Sequence, residues 1–419
     1  MRVLWVTNVI FPHVANRLGI PGSISGGWLY SLADRLSEQD GISLGVVTAY
    51  VGSEFEMLRV HNIDFYLIPM TRFGFLFGTK KKNRLLRRAV EVFNPDIIHI
   101  HGTELPIGIN FIKLFPERKI VLNIQTLSAG IRQEQFAGMK PADVLRCVTL
   151  REILSLKGVL LRRVHSAIRA KREECYFSSV RYIIGSTLWD AAYLRCNGFT
   201  GAYYHCPYLF RDEFYAEENM WDASTMERHS IVTGQAAEPL KGLHILIKAV
   251  YYVKREIPDV KLYVPGPDLL SEYFLKRYGY AGHIRRLIKK LGLQDSIVFI
   301  GKLDAGAMAR RMKTANVVVV PSAVELGSST LCEAMLLGAP VVASFRGGMT
   351  ESFLHGHSGY YYDFKEKYLL AAYIKRIFED DALAKKFSCN ARAAALRTHG
   401  AEECVKTFCN AYQDIATCG

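Results

Sequence analysis

The sequence predicts an α/β protein built from two consecutive doubly wound domains. Three observations carry this: the length, two successive series of short apolar runs alternating with amphipathic helices, and an aperiodic stretch between the series. At 419 residues the chain exceeds one ordinary hydrophobic core and suits two of roughly 200 residues each. Half of its residues are hydrophobic and 22% are charged, the profile of a packed protein rather than a disordered one. No internal repeat marks a solenoid.

In the first series, residues 1–10 read as a strand and 22–27 as a Gly/Ser loop. Residues 28–38 read as an amphipathic helix with Leu29, Leu32, Ala33 and Leu36 on one face. Strands follow at 43–50 and 64–69, a helix at 85–93, and strands at 97–101, 120–125 and 182–186. Such alternation argues for a parallel sheet covered on both faces. Long basic helices at about 133–177 interrupt it and read as an insertion. The first domain is therefore set at 1–205, followed by an aperiodic linker at 206–228 with an acidic cluster (Asp212, Glu213, Glu217, Glu218).

The second series has strands at 230–234, 260–265, 296–300, 317–321 and 340–344, with helices at 242–256, 283–291, 305–313 and 329–337. It forms a second domain at 229–380. The remaining segment, 381–419, is helical and long enough to cross back onto the first domain. Paired doubly wound domains bind ligands at the carboxyl ends of their strands, in the cleft between them.

The net charge of +13 is unevenly placed, since residues 1–205 hold 26 basic against 16 acidic residues. The densest patch is Arg72, Lys80, Lys81, Lys82, Arg84, Arg87 and Arg88, beside Phe73, Phe75 and Phe77. A second, at 140–172, sets nine basic residues against Asp143 and Glu152. Basic charge beside exposed aromatics suits an anionic membrane surface, and a merely solvated face is the alternative. No nucleic-acid-binding module is present, so nucleic acid is not expected as a partner. Residues 3–11 are short, contain Thr7 and Asn8, and lead into a Gly-rich loop, so they read as a first strand rather than a signal peptide. No run approaches the ~18 to 20 apolar residues that cross a bilayer. The nine cysteines lack metal-ligand or C-x-x-C spacing, which argues against a zinc site or disulfide framework and for a reducing cytoplasm.

The most informative stretch is 321–351, PSAVELGSSTLCEAMLLGAPVVASFRGGMTE. The valine run 317–320 ends at Pro321, and a loop carries Glu325 and Gly327. Ser328, Ser329 and Thr330 then offer N-caps for a helix containing Glu333. A strand–loop–helix unit of this kind aims unpaired N–H groups and a positive dipole end at a ligand, which suits phosphate. The two carboxylates suit hydroxyl donors, one a sugar and the other a ribose diol.

This stretch resembles the E-x7-E motif of family 4 retaining glycosyltransferases, which have the GT-B fold of two Rossmann-like domains. The marks are PS-x-x-E, EAM-x-x-G-x-PVVAS and GG-x-x-E. Residues 233–250 look like that family's strand–loop–helix with a phosphate-binding lysine before glycine, here Lys241-Gly242. A cation at a helix head can neutralise a diphosphate leaving group. Where many members carry arginine after the first glycine, this chain has Gln235, an amide without charge. The resemblance implies a donor site of Gly27, Gln235, Lys241, Gly327, Ser328, Ser329, Thr330 and Glu333. Glu325, Lys241 and His101 are its candidate catalytic residues.

The loop 22–27 with Trp28 resembles the family's first Gly-rich loop, and Gly26-Gly27 permits close backbone approach. GSISGG is not the dinucleotide-binding fingerprint G-x-G-x-x-G, so NAD is not expected. In IIHIHGTE, alternation sends His99 and His101 to one face, with Glu104 in the following loop. Gln125 stands where many relatives carry an active-site histidine. Gly26, Trp28, His99, Glu104 and Gln125 form the candidate acceptor side. HGTE, GSTLWD and RDEFY resemble a subset serving capsule and exopolysaccharide assembly, which implies a lipid-linked saccharide acceptor.

The resemblance thus implies a retaining glycosyltransferase using a UDP- or GDP-linked sugar without cofactor or required metal. It would be cytoplasmic and peripheral at the inner membrane face. A nucleotide-sugar epimerase of the same fold and a catalytically silent nucleotide-sugar-binding scaffold are the alternatives.

Overall fold

The computed structural model describes residues 1–20, 26–70, 80–104, 106–154, 158–216, 218, 220–234, 236–273 and 279–418. The chain divides into two compact units. The first comprises Met1–Leu127, Arg169–Arg211 and His399–Gly419, and the second Ser128–Ile168 and Asp212–Thr398.

The first unit holds an eight-stranded sheet of β1 (Arg2–Thr7), β2 (Ser43–Tyr50), β3 (Glu56–Val60), β4 (Ile63–Pro69), β5 (Ile97–His101), β6 (Lys119–Asn123), β7 (Tyr182–Gly185) and β8 (Ala202–His205). Its order is β3-β4-β2-β1-β5-β6-β7-β8. All neighbours are parallel except β3 and β4, which form an antiparallel hairpin at the edge. The central β1 is enclosed on both faces, and Trp5 pairs with Val46 on one side and His99 on the other. Helix Ala401–Thr417 returns to this unit, where Cys404, Val405, Phe408, Ala411, Tyr412 and Ile415 join the core of Val3 and Trp5. Of the segment 381–419 expected to cross back, the helix Asp381–His399 groups with the second unit as far as Thr398, and only the helix Ala401–Thr417 belongs to the first.

The second unit holds a wholly parallel sheet of β9 (Glu227–Thr233), β10 (Lys261–Val264), β11 (Ile297–Phe299), β12 (Ala315–Val320), β13 (Val341–Ser344) and β14 (Tyr360–Tyr362), ordered β11-β10-β9-β12-β13-β14. Every residue of β12, ANVVVV, is buried, as expected of a β-branched run covered on both faces. Strand order reverses between β9 and β12, and between β1 and β5. These are the switch points at which doubly wound sheets leave a crevice outside the strand ends.

Two sequence-based boundaries differ from this division. The segment expected at about 133–177 as an insertion of the first domain groups with the second unit as far as Ile168. Among the described residues it holds the helices Pro141–Arg146, Leu150–Leu154 and Val159–Phe177, of which only the last is long. Ala137 packs with Ile245, Ala323 and Phe364, and its carbonyl accepts a 2.9 Å bond from His244 Nε2. Glu152 Oε1 accepts from the Gly279 N–H at 3.1 Å. The stretch 206–228, expected as a linker, is packed against its neighbours. Leu209 and Phe210 lie in the first unit's buried interior, and the indole of Trp221 donates to the Ala315 carbonyl at 2.7 Å.

Candidate active site

In the second unit, the turn between β9 and the helix Leu243–Lys254 holds Lys241 at the end of a short 3-10 turn, Pro239–Lys241. Gly242 follows with φ 71°, a left-handed conformation that suits glycine. A Cβ there would stand 1.6 Å from the Pro321 carbonyl oxygen, so the Lys-Gly turn lies directly on the end of β12. The Ala323 N–H donates to the Leu240 carbonyl at 2.7 Å and fixes the two loops together.

That docking brings Lys241 and Glu325 into contact, with Nζ donating to Oε1 at 2.6 Å. The Ser322 hydroxyl donates to the same oxygen at 2.7 Å. The Ser344 hydroxyl holds the Ser322 carbonyl, and the Gly348 N–H holds that of Glu325 at 3.0 Å. Glu325 Oε2 receives no donor among the described residues, leaving it for a ligand hydroxyl. The Glu325 carboxylate beside Lys241 raises the lysine above its ordinary pKa, so the ammonium stays charged at neutral pH. Lys241 remains 44% exposed and Glu325 16%.

Glu325 and Gly327 precede the helix Ser329–Leu336, whose N-cap is Ser328, with Oγ accepting from the Leu331 N–H. Thr330 in the first turn lies against Gly234, whose hypothetical Cβ would sit 2.5 Å from Oγ1. The ends of β9 and β12 thus meet at the helix head. Ser329 is exposed there, and Glu333 is buried on the same helix. Gln235 lies outside the described residues. Arg346 is engaged by Asp363 at 3.2 Å and Glu134 at 3.6 Å, so its charge is already matched within this unit.

The other candidates belong to the first unit. Gly26, with φ 86°, caps the helix Gly27–Ser37. The Arg211 side chain lies against Gly27, its Cδ 2.8 Å from where a Cβ would be. Trp28 packs 4.4 Å from Tyr208 and 5.9 Å from His101, ring centre to ring centre. The His99 and His101 rings are 3.9 Å apart, but their environments differ. His99 is fully enclosed, with Nδ1 2.6 Å from the Tyr412 hydroxyl, and burial pushes its pKa down to about 3. That is a core position. His101 is also buried and held neutral by burial and then by His99, yet neither ring nitrogen has a hydrogen-bond partner among the described residues.

Gly102, with φ 85°, turns the chain after β5. Its hypothetical Cβ would meet Glu104 Oε2 at 2.2 Å and Gln125 Oε1 at 3.2 Å, so these two side chains converge on one backbone point. Thr126 donates to Glu104 Oε1 at 3.1 Å, and Arg172 to the Glu104 carbonyl at 2.7 Å. Sequence reasoning did not single out Ser322 or Arg211 as site residues. Both lie inside quoted motifs, PSAVE and RDEFY, but their contacts join residues distant in sequence or depend on a turn.

Residues 221–394 match the family model described as Glycosyl transferases group 1. A D-inositol 3-phosphate glycosyltransferase of Arthrobacter sp. is 28% identical over 172 residues, covering 41% of this chain and 38% of that relative. The chain spans about two fifths of the length of the curated relatives it matches. Among solved structures, the sucrose-phosphate synthase of Thermosynechococcus elongatus aligns over 99% of both chains with TM-score 0.73 at 16% identity. Anabaena HepE, solved in complex with UDP and glucose, aligns over 99% of both with TM-score 0.68 at 17% identity. The protein has the GT-B fold. Over residues 221–394 its sequence resembles the glycosyl transferases group 1.

Proposed function

We propose that the protein is a retaining glycosyltransferase that moves a sugar from a nucleotide-diphosphate donor to a saccharide acceptor. The observation that carries this reading is the Lys241–Glu325 pair at the head of a capped helix. A cation, unpaired helix N–H groups and a hydroxyl-binding carboxylate match the three parts of a nucleotide sugar. In this reading the diphosphate lies between Lys241 and the N-terminus of the helix Ser329–Leu336. Glu325 orients the sugar and Glu333 the ribose. Stabilising the departing diphosphate is the dominant catalytic effect, and the acceptor hydroxyl attacks from the leaving-group face, which keeps the anomeric configuration.

UDP is the first donor nucleotide to test, because HepE of the same fold was solved with UDP and glucose. The reaction proceeds without a metal or organic cofactor. The acceptor is lipid-linked and the product a surface polysaccharide, with His101, Glu104 and Gln125 on the acceptor side.

Peripheral attachment at an anionic, cytoplasmic membrane face has its own support. Leu145, Leu150, Ile153, Leu154, Val164 and Ile168 are each more than half exposed. Arg146, Arg151, Arg163 and Arg169 are exposed among them. Apolar side chains interleaved with arginine suit lipid tails and anionic headgroups together. No helix among the described residues is long and apolar enough to cross a membrane.

The test is a thermal-shift screen of UDP-, GDP- and ADP-sugars, since a ligand raises stability as ln(1 + [L]/Kd). Acceptor-dependent release of nucleoside diphosphate and the product's anomeric configuration are then measured. Full donor turnover in both Glu325→Ala and Lys241→Ala would sink the reading.

A further inference from the structure

His13, Asp34 and His61 are 21 and 27 residues apart and belong to three different elements of the first unit. His13 lies in the helix Pro12–Leu18, Asp34 in the helix Gly27–Ser37, and His61 in the two-residue turn between β3 and β4. One nitrogen or oxygen from each lies within 4.8 Å of the other two. The His13 and His61 rings are 4.8 Å apart, centre to centre, and His61 Nδ1 is 3.6 Å from Asp34 Oδ1.

His13 Nε2 is buried and has no hydrogen-bond partner among the described residues. Its ring is held from behind by Phe11 and Phe65, at 5.7 and 5.5 Å between centres, so the position is built rather than incidental. His61 sits across from it on an exposed hairpin turn with φ 53°.

We propose that these three side chains bind a divalent transition-metal ion, with zinc the first candidate. Two imidazoles and a carboxylate are a zinc-type donor set, and water completes the tetrahedron. Ligand atoms of a tetrahedral zinc site stand about 3.3 Å apart, given metal–ligand bonds of about 2.0–2.1 Å. The cluster needs a contraction of up to about 1.5 Å from its 4.8 Å spread, which the exposed His61 ring supplies by turning inward. The ion would tie together the helices Pro12–Leu18 and Gly27–Ser37 and the turn between β3 and β4. The proposal is independent of the transfer chemistry.

The test uses the full chain, stripped with chelator and titrated with Zn²⁺ against a chromophoric competitor. The expected result is one equivalent taken up at micromolar or tighter affinity, with a rise in the melting temperature. Both effects should fall at least tenfold or vanish in His61→Ala and in His13→Gln. His61 lies on an exposed turn, so its variant keeps the fold even if His13→Gln does not. Co²⁺ substitution should give visible d–d bands without a thiolate charge-transfer band. Three results overturn the site: no stoichiometric uptake by the wild type, uptake unchanged in His61→Ala, or a thiolate band that places the ion on cysteine.

Discussion

The Pro321 carbonyl oxygen occupies the space a side chain on Gly242 would need, 1.6 Å from its ideal Cβ. Backbone meets backbone there, so no rotamer change relieves the clash. Gly242→Ala must also hold a left-handed φ, at a cost of about 1–2 kcal/mol for an L-residue. The turn should shift and carry Lys241 away from Glu325. We expect a lowered melting temperature and at least about a tenfold loss of donor-dependent turnover, the equivalent of about 1.4 kcal/mol. Wild-type values for both would show that the turn does not sit on β12.

Lys241→Ala should separate chemistry from stability. Its ammonium is nearly half exposed, and ion pairs in such settings contribute about 0–1 kcal/mol to folding. Removing a preorganised group that stabilises a leaving anion costs about 100-fold or more in rate. The urea midpoint should therefore barely move while kcat collapses. A large midpoint shift with kcat preserved would mean that Lys241 is a structural partner of Glu325 alone.

Tyr412→Phe probes the core of the first unit. The Tyr412 hydroxyl accepts from the Trp5 indole N–H at 2.9 Å and lies 2.6 Å from His99 Nδ1, to which it can donate its single proton. Deleting the oxygen strands two buried polar groups, each at about 1–3 kcal/mol. Equilibrium unfolding should show a clear loss of stability, with the fold retained.

Acid should weaken the protein through its buried histidines before its carboxylates protonate. Burial holds His99 and His244 at about 3 and His399 at about 4. Unfolded imidazoles titrate near 6.5. Between these values the unfolded chain binds protons that the folded one refuses, so stability is full above about 6.5 and is lost as pH falls toward the folded pKa values. His244→Gln should flatten the slope of urea midpoint against pH between about 6.5 and 5. An unchanged slope would show that His244 does not stay neutral in the fold.

The exposed apolar residues of the inserted helices predict selective adsorption. Co-sedimentation with phosphatidylglycerol vesicles should exceed that with phosphatidylcholine vesicles and fall with salt. Leu150→Glu with Leu154→Glu should abolish it without lowering turnover on a soluble acceptor. Equal partition to both vesicle types would remove the anionic-surface reading.

Much of the scaffold was legible because its strands are short β-branched runs: 43–50 and 97–101 were placed to the residue as β2 and β5. The loops proposed as the donor site were legible as loops for a related reason, since Lys241-Gly242 and Glu325 each follow such a run. β3 escaped notice because EMLRV alternates burial at an antiparallel edge and carries charge. The membership of residues 128–168 was not legible, since periodicity reports a helix face but not its partner. Contacts such as Arg211 against Gly27, or His13 beside His61, join residues far apart in the chain and leave no spacing to read.

The return of residues 399–419 already makes the first unit discontinuous, and the grouping of residues 128–168 with the second unit makes that one discontinuous too. The backbone passes between them four times, after Leu127, Ile168, Arg211 and Thr398. No single cut can release either one intact. A fragment starting near residue 212 would lack Ala137 beside Ile245 and Phe364, and one ending near residue 398 would lack Tyr412 beside Trp5. Because the chain crosses four times between the two units, an exchange of the second unit for another would have to carry residues 128–168 along with 212–398.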